Sequence, residues 1–307
     1  MSMRVLFLGT SGSVPTNTRS LPAVLIKRQN EYLMFDCGEG VQRQMIKAKV
    51  GFHRKMKIFI SHMHGDHVLG LLGLLQTMAL MGRQQKVEVY GPVNLRLFLE
   101  SAREVLQFCL TFPVEVYEIC NDGIVCEEKE YNVEVAKASH VVVGWVYALV
   151  EKPRPGKFYP EKARVIGVPE GELWSRLQHG ESIKLPNGRV VSPLEVAGPP
   201  RRGRKIVYTG DTRPFDGFAV FAANADLVIH DSTFDDTLAE KADLDGHSTP
   251  SQAAQQAANA KAKKLVLTHI SARYADAGVL LEQARKIFSD AVVAEDFMEL
   301  ELPLPDS

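Results

Sequence analysis

Cysteine, tryptophan and long apolar runs are scarce in this sequence, and neither sign of charge prevails. Its four cysteines form no C-x-x-C pair, which excludes a disulfide scaffold and favours reduced, structural thiols in a cytosolic protein. The longest apolar stretch, residues 68–81, is too short to cross a bilayer. No export signal precedes the first strand-like run. We therefore expect a cytoplasmic protein with no membrane partner.

The balance of charge limits what the protein can attract. Lysine and arginine number 36 against 37 aspartates and glutamates, so the formal net charge is −1. Such a chain has no overall field that gathers nucleic acid, and an RNA substrate would need a local basic patch. With 45% hydrophobic and 24% charged residues, the composition excludes wholesale disorder and fibrous classes.

Short β-prone runs and helical patterns alternate in both halves of the chain. The leucine spacing over residues 68–81 predicts a helix that packs on a sheet. Helices are also predicted at 93–107, 249–262 and 278–288. Two βα-rich halves predict an α/β sandwich with two sheets inside and helices outside. The predicted strands are 5–8, 23–26, 32–35, 57–61, 87–90, 133–136, 141–150, 206–208, 227–229, 265–267 and 291–293.

A segment of different composition separates the two halves. Residues 151–164 contain three prolines, five basic residues and two acidic ones. We interpret residues 151–180 as an insertion that leaves the body of a single domain spanning 1–307. A solvated connecting loop is the alternative interpretation.

The sharpest chemical signal is the pattern H-x-H-x-D-H over residues 62–67, between a predicted strand and a predicted helix. His62 and His64 project the same way from an extended segment, so both can hold one ion. Asp66 and His67 follow the turn at Gly65 and face a neighbouring position. Four ligand-type side chains split in this way suit two adjacent metal ions. Without metal, their crowding would carry an uncompensated desolvation cost.

Two metal ions need more ligands, and candidates follow other predicted strands. His140 comes after the strand 133–136, Asp211 after 206–208 and His269 after 265–267. Each of the three alone would be unremarkable. Together, beside a two-metal motif, they indicate one extended metal centre.

The order H-x-H-x-D-H, His, Asp, His resembles the metallo-β-lactamase superfamily. Within it, His-Asp-Ser-Thr at 230–233, His-Ser-Thr at 247–249 and His-Ile-Ser-Ala-Arg-Tyr at 269–274 resemble the tRNase Z (ribonuclease Z) family of tRNA 3′-processing endonucleases. The similar segments span nearly the whole sequence. The resemblance implies an α/β fold of the metallo-β-lactamase type, an αββα sandwich with two β-sheets inside, helices on both outer faces and a protruding arm.

The same resemblance implies two Zn²⁺ per chain and a set of catalytic residues. Asp66 would act on the attacking water, and His247 would be the proton donor, oriented by Asp231. Helix capping is the alternative role for His247, because residues 246–250 are typical of a helix start. One zinc would lie on His62, His64 and His140, and the other on Asp66, His67 and His269, with Asp211 bridging.

The activity implied is a zinc-dependent endoribonuclease that removes the 3′ trailer from precursor tRNA. It would leave a 3′-hydroxyl on the tRNA and a 5′-phosphate on the trailer. The family forms homodimers in which the arm of one subunit serves the active site of the other. The substrate-binding candidates are Arg19, Lys152, Arg154, Lys157, Lys162, Arg164 and Arg273.

Two alternatives remain open at this point. The first is a small-molecule phosphodiesterase or other hydrolase of the superfamily. The basic arm argues against it, because a small substrate needs no binding segment away from the active site. The second is an RNA-binding module without catalysis, against which the complete set of ligand positions argues.

Overall fold

The structure, a computed structural model, describes residues 3–305, which fall into two compact units. The larger unit comprises residues 3–150 and 205–303. The smaller comprises residues 151–204 with Leu304 and Pro305. The smaller unit therefore includes the predicted arm, 151–180, and continues beyond it to Arg204.

Most of the strands lie in the larger unit. In chain order they are β1 (Met3–Gly9), β2 (Ser11–Gly12), β3 (Ala23–Arg28), β4 (Glu31–Phe35), β5 (Lys55–Phe59), β6 (Val87–Pro92), β7 (Val114–Ile119), β8 (Gly123–Glu127), β9 (Tyr131–Lys137), β10 (Trp145–Glu151), β11 (Ile183–Lys184), β12 (Val190–Val191), β13 (Lys205–Tyr208), β14 (Leu227–Asp231), β15 (Leu265–Thr268), β16 (Ile270–Ser271), β17 (Ala291–Val293) and β18 (Glu299–Leu302). Of these, β11 and β12 belong to the smaller unit.

The helices connect the strands and cover their sheets. In chain order they are α1 (Val41–Lys47), α2 (Gly65–Val68), α3 (Gly70–Leu80), α4 (Leu95–Leu106), α5 (Pro160–Ile166), α6 (Glu172–Gln178), α7 (Pro193–Val196), α8 (Phe218–Phe221), α9 (Ala239–Asp245), α10 (Pro250–Asn259) and α11 (Gly278–Arg285), with a 3₁₀ turn at Asp236–Leu238. Among residues 3–305, no helix has the length and apolar character that a bilayer crossing requires.

Two seven-stranded sheets form the larger unit. The first has the order β18-β1-β3-β4-β5-β6-β7, and the second β17-β15-β14-β13-β10-β9-β8. Parallel pairing runs from β4 to β7 in the first sheet. In the second sheet it runs from β13 through β14 and β15 to β17. The carboxyl ends of these parallel strands therefore lie along one edge of each sheet.

Alternation of side chains along the strands produces four layers. Leu33 and Phe35 of β4 share a core with Ile229 of β14, so the inner faces of the two sheets pack together. Met34 of β4 instead joins the core under α1 and α3. Val228 of β14 joins the core under α8, α10 and α11. Strands that are buried on both faces follow from this arrangement, and the predicted αββα sandwich is confirmed.

One predicted strand is shorter than expected. The run 141–150 was expected to be extended throughout, but β10 begins only at Trp145. The three valines at 141–143 are exposed, and Gly144 makes an isolated bridge to His62. Apolar β-branched residues favour a strand locally, but these valines find no neighbouring strand to pair with.

The smaller unit has its own apolar core. Ala163, Leu177, Val191 and Val196 are buried in it, with Trp174 packed against them. Bridges between Arg154 and Arg201 and between residues 158 and 197 hold its two chain segments antiparallel. Packing of this kind shows a folded unit rather than a solvated loop.

A buried ion pair in the larger unit yields a test of stability. The ammonium of Lys57 on β5 pairs with Glu88 on β6 and lies 3.0 Å from Glu128, while its side chain is 3% exposed. We expect Lys57→Met to lower the free energy of unfolding by about 1–3 kcal/mol, because Oε2 of Glu88 keeps the Tyr90 hydroxyl but loses its buried cationic partner. Urea denaturation measures this change.

Lys86→Met is the matched control. Lys86 lies 3.1 Å from the same Glu88, but its side chain is 50% exposed. The control should leave the unfolding curve nearly unchanged. Equal losses of stability in the two variants would contradict the buried role of Lys57.

Candidate metal centre

The motif at residues 62–67 is a bend between β5 and α2. His62 and His64 lie on the extended approach, and the backbone of His64 is extended (φ −64°, ψ 146°). Asp66 and His67 lie within α2, where the first-turn amide groups favour a carboxylate. The backbone therefore separates His62 and His64 from Asp66 and His67, as the motif predicts.

A first cluster contains His62, His64, His140 and Asp211, whose ligand atoms lie within 4.8 Å of one another. The Nδ1 atom of His64 lies 3.0 Å from Nε2 of His62 and 3.3 Å from Nε2 of His140. Oδ2 of Asp211 lies 3.6 Å from Nε2 of His62. Three imidazoles and one carboxylate thus converge on one point.

A second cluster contains Asp66, His67 and His269. The Nε2 atoms of His67 and His269 are 3.3 Å apart, and Oδ2 of Asp66 lies 3.4 Å from each. Asp211 also faces this cluster, since its Oδ2 lies 3.3 Å from His67 and its Oδ1 3.3 Å from His269. Asp211 therefore adjoins both clusters.

The donor set fits metal cations. Ring nitrogens lie 3.0–3.3 Å apart, close enough for unprotonated nitrogens to share one cation. Oδ1 of Asp211 is buried and has no hydrogen-bond partner among the described residues. Such orphaned groups are costly unless an ion satisfies them. Imidazole and carboxylate are the ligands that Zn²⁺ takes.

The pKa shifts of the clustered side chains also favour metal binding. Burial opposes the charge on Asp66, but the neighbouring imidazoles of His269 and His67 lower the pKa of its carboxyl. Burial lowers the pKa of His62, which keeps that imidazole neutral. Burial opposes protonation of His67 too, but Asp211 and Asp36 raise its pKa. A bound cation would displace that proton, because metal binding and protonation compete for one nitrogen.

The outer nitrogens of the ligand imidazoles have partners of their own. Nδ1 of His67 lies 2.7 Å from Asp36, and Nδ1 of His140 lies 2.7 Å from the carbonyl of Gly246. Nδ1 of His269 lies 2.7 Å from the hydroxyl of Thr233. Such partners orient a metal ligand and fix its tautomer.

Sequence reasoning missed most of these partners. It gave neither Gly246 nor Thr233 a part in holding the imidazoles, although Thr233 belongs to the His-Asp-Ser-Thr box that carried the resemblance. Asp36 also accepts hydrogen bonds from Ser61 and from Tyr208, whose hydroxyl lies 2.6 Å away. The position of Thr233 in that box was the one available signal.

His247 lies at the margin of the metal centre. Its Nδ1 is 2.9 Å from Oδ2 of Asp231, and both side chains are buried. Burial opposes its protonation, but Asp231 raises the pKa of His247 to about 9. The cap of α10 is Thr249, which forms a capping box with Gln252. His247 is therefore not the capping residue, and its imidazole is directed to Asp231.

The two substrate-binding candidates of the larger unit differ in setting. The guanidinium of Arg19 donates to the Ala294 carbonyl and to Thr10, so it is engaged within the fold. Arg273 is exposed and lies 4.7 Å above the ring of Phe234. The Phe234 ring in turn packs edge-on against His247.

The other five candidates all belong to the smaller unit. Arg154 is half-buried and donates to the Pro305 carbonyl. The exposed side chain of Arg164 forms an ion pair with Glu170 and lies over the ring of Trp174. Lys152 is half-buried. Lys157 and Lys162 are exposed and lie near the Tyr159 ring.

Curated relatives named ribonuclease Z match nearly the whole chain. The protein of Methanosarcina acetivorans is 46% identical over 302 residues, which cover 98% of each chain. The protein of Haloferax volcanii is 44% identical over 309 residues, covering 100% of this chain and 97% of that one. This chain belongs to the ribonuclease Z family.

One solved structure agrees with this membership, and the other matches agree with the fold. The crystal structure of human tRNase Z, short form, matches with a TM-score of 0.72 at 30% identity and covers 98% of this chain and 99% of its own. The metallo-β-lactamase fold protein YhfI from Bacillus subtilis has the same fold, with a TM-score of 0.68 at 19% identity over 98% of this chain and 100% of its own. A beta-lactamase superfamily domain profile matches residues 176–270, and the anti-Pycsar protein Apyc1 profile matches residues 3–144.

These matches decide three of the predictions. The predicted family and the metallo-β-lactamase fold are confirmed. As a ribonuclease Z, the chain is an endonuclease that hydrolyses phosphodiester bonds, and the predicted enzyme class is confirmed with it.

The position of Asp211 between the two clusters yields a test. We expect Asp211→Asn to weaken Zn²⁺ binding at both clusters by at least about 100-fold, because even outer partners of metal ligands are worth about 10- to 100-fold. Competition with a chromophoric chelator measures the affinities, and emission spectroscopy measures the retained metal.

Asp226→Asn is the control for replacement of a buried aspartate. Asp226 is buried and accepts a hydrogen bond from the Lys205 amide at 2.9 Å, but it belongs to neither cluster. Wild-type zinc affinity in Asp211→Asn would show that Asp211 is not a ligand.

Proposed function

We propose that this ribonuclease Z cuts the 3′ trailer from precursor tRNA with two zinc ions. The tRNA would keep a 3′-hydroxyl and the trailer would carry a 5′-phosphate. The observation that carries the proposal is the pair of adjoining His/Asp clusters that share Asp211, with the His247–Asp231 pair beside them.

The ligands would divide as the two clusters do. His62, His64 and His140 would hold one zinc ion, and Asp66, His67 and His269 the other, with Asp211 between them. Zinc ions bound there would supply hydroxide near neutral pH and neutralise charge on the phosphodiester.

Asp66 is suited to act on the attacking water. Its Oδ2 receives the Ser13 amide at 2.9 Å and faces His67 and His269. The low pKa of its carboxyl keeps it ionised, so it can accept a hydrogen bond from the water and direct an oxygen lone pair at phosphorus. The attack forms a new phosphorus–oxygen bond and breaks the bond to O3′, and the proton that the water loses passes to solvent.

His247 is suited to protonate the departing O3′ oxygen. Its Nδ1–H is donated to Asp231, so the proton for transfer is carried on Nε2. The Asp231 carboxylate stabilises the imidazolium before transfer, since it raises the pKa of His247. A poor leaving group such as a 3′-alkoxide gains most from a positioned acid. The tRNA then leaves with a 3′-hydroxyl.

We expect His247→Ala to slow cleavage about 10²- to 10⁴-fold, because it removes the proton donor. Single-turnover cleavage of a labelled precursor tRNA measures the rate, and gel mapping gives the position and chemistry of the ends. Zinc content should stay at the wild-type level.

His53→Ala, at an exposed histidine, is the control and should retain full activity. Wild-type rates in His247→Ala would remove this residue from the mechanism.

The predicted arm, residues 151–180, would bind the body of the tRNA. Exposed Lys157 and Lys162 are suited to phosphate binding, which gives affinity and register without reading base sequence. Arg154 and Arg164 are engaged with groups of their own unit, so we assign them a smaller share of the binding.

We expect the double variant Lys157→Glu/Lys162→Glu to raise KM for precursor tRNA about 10-fold or more. The slope of log KM against log salt should flatten by about one for each phosphate that the variant no longer binds. Steady-state cleavage at several salt concentrations measures both quantities.

The control, Lys49→Glu/Lys286→Glu, changes two exposed lysines of the larger unit and should behave as wild type. Hydrolysis of bis(p-nitrophenyl) phosphate provides the comparison with a small substrate. An equal loss of activity on both substrates would contradict a role in RNA binding and favour the small-molecule hydrolase.

We also propose a homodimer in the cytoplasm. The dimer is supported by the family resemblance, in which the arm of one subunit serves the other. The location is supported by the proposed precursor tRNA substrate. Sedimentation of the purified protein tests the dimer, and a monomer at working concentration would exclude it.

A further inference from the structure

The hydroxyl of Thr233 contacts three polar side chains. It donates to Oδ1 of Asp231 at 2.6 Å, and it lies 2.7 Å from Nδ1 of His269 and 3.2 Å from Nδ1 of His247. The Thr233 amide also donates to Asp231, at 3.0 Å. All four side chains are buried, so each of these hydrogen bonds is made without competing water.

The directions of these hydrogen bonds follow from the number of protons. A hydroxyl has one proton, and Thr233 gives it to Asp231, so it can only accept from an imidazole. His269 must therefore carry its proton on Nδ1, which leaves Nε2 bare. That Nε2 atom faces Asp66 and Asp211 at 3.4 and 3.3 Å.

Asp231 serves both imidazoles with its two oxygens. Oδ2 accepts a hydrogen bond from Nδ1 of His247 at 2.9 Å. Oδ1 accepts from the Thr233 hydroxyl, which is in turn hydrogen-bonded to His269. Two other imidazoles of the clusters have different partners, since Nδ1 of His67 faces Asp36 and Nδ1 of His140 faces the Gly246 carbonyl. The Thr233 hydroxyl, which is the outer partner of His269, is therefore also bound to Asp231, the carboxylate that orients His247.

We propose that Thr233 is a positioning residue that couples the second metal cluster to the proton-donor pair. Its hydroxyl holds His269 in the tautomer that can bind metal, and the same hydroxyl fixes the Asp231 carboxylate that orients His247. Removal of the hydroxyl disturbs both. The inference rests on the proposed function, because it assigns Thr233 to the metal cluster and proton donor described there.

The first experiment compares Thr233→Val with Thr233→Ser by zinc affinity. Valine keeps the shape and removes the hydroxyl, and serine restores it. We expect Thr233→Val to weaken the second zinc about 10- to 100-fold, the usual effect of removing an outer partner, and to lower tightly bound zinc from two per chain to one. Thr233→Ser should keep both ions. Chelator competition and emission spectroscopy measure affinity and content.

Ser232→Ala is the matched control for removal of a neighbouring buried hydroxyl. Oγ of Ser232 is buried and has no hydrogen-bond partner among residues 3–305. This control should keep wild-type zinc affinity and cleavage. Unchanged affinity in Thr233→Val, or equally weakened binding in Thr233→Val and Thr233→Ser, would overturn the proposal.

A measurement on the wild-type protein remains informative if Thr233→Val does not fold. Long-range ¹H–¹⁵N correlation spectra of histidine-labelled, zinc-loaded protein should show a protonated Nδ1 in His269. A proton on Nε2 instead would overturn the role of Thr233. Wild-type protein that binds no zinc or leaves precursor tRNA uncut would instead remove the proposed function.

Discussion

The structure depends on the crowding of imidazoles and carboxylates at the carboxyl ends of four strands. The ligands come from the loops after β5, β9, β13 and β15, and Asp211 lies against both clusters. Without a cation, facing nitrogens and an orphaned carboxylate oxygen would be costly. Packing in the rest of the larger unit stabilises the fold enough to keep these groups together despite that unfavourable free energy.

Rigidity for the site comes from the packing of the two sheets on each other. Beneath the metal centre, Phe35 and Phe59 of the first sheet pack on Tyr147 and Tyr208 of the second. The tyrosines also make hydrogen bonds across the interface, since Tyr208 donates to Asp36 and Tyr147 to the Ile60 carbonyl. The same tyrosines therefore pack in the core and orient groups next to the candidate ligands. A site held by packed side chains keeps its geometry.

Much of this could be predicted, because the strongest signals were local. The α/β layers followed from buried strands alternating with helices, and the leucine spacing over 68–81 predicted a helix that the structure places at Gly70–Leu80. Boundaries that depend on neighbours were less accurate. The valines at 141–143 lack a strand partner, and the second unit extends past 180 because Ile183, Val191 and Val196 complete its core.

The sequence by itself identified the candidate ligand set, since residue type and spacing within one loop decide which side chains can share an ion. The remaining candidates followed strand ends. Tertiary structure alone decided how those ligands are held. The hydrogen bonds of His140 with the Gly246 carbonyl and of His269 with Thr233 join residues 106 and 36 positions apart. Such pairs depend on strand order and register, which no local pattern encodes, because each hydrogen bond exists only after distant segments have packed.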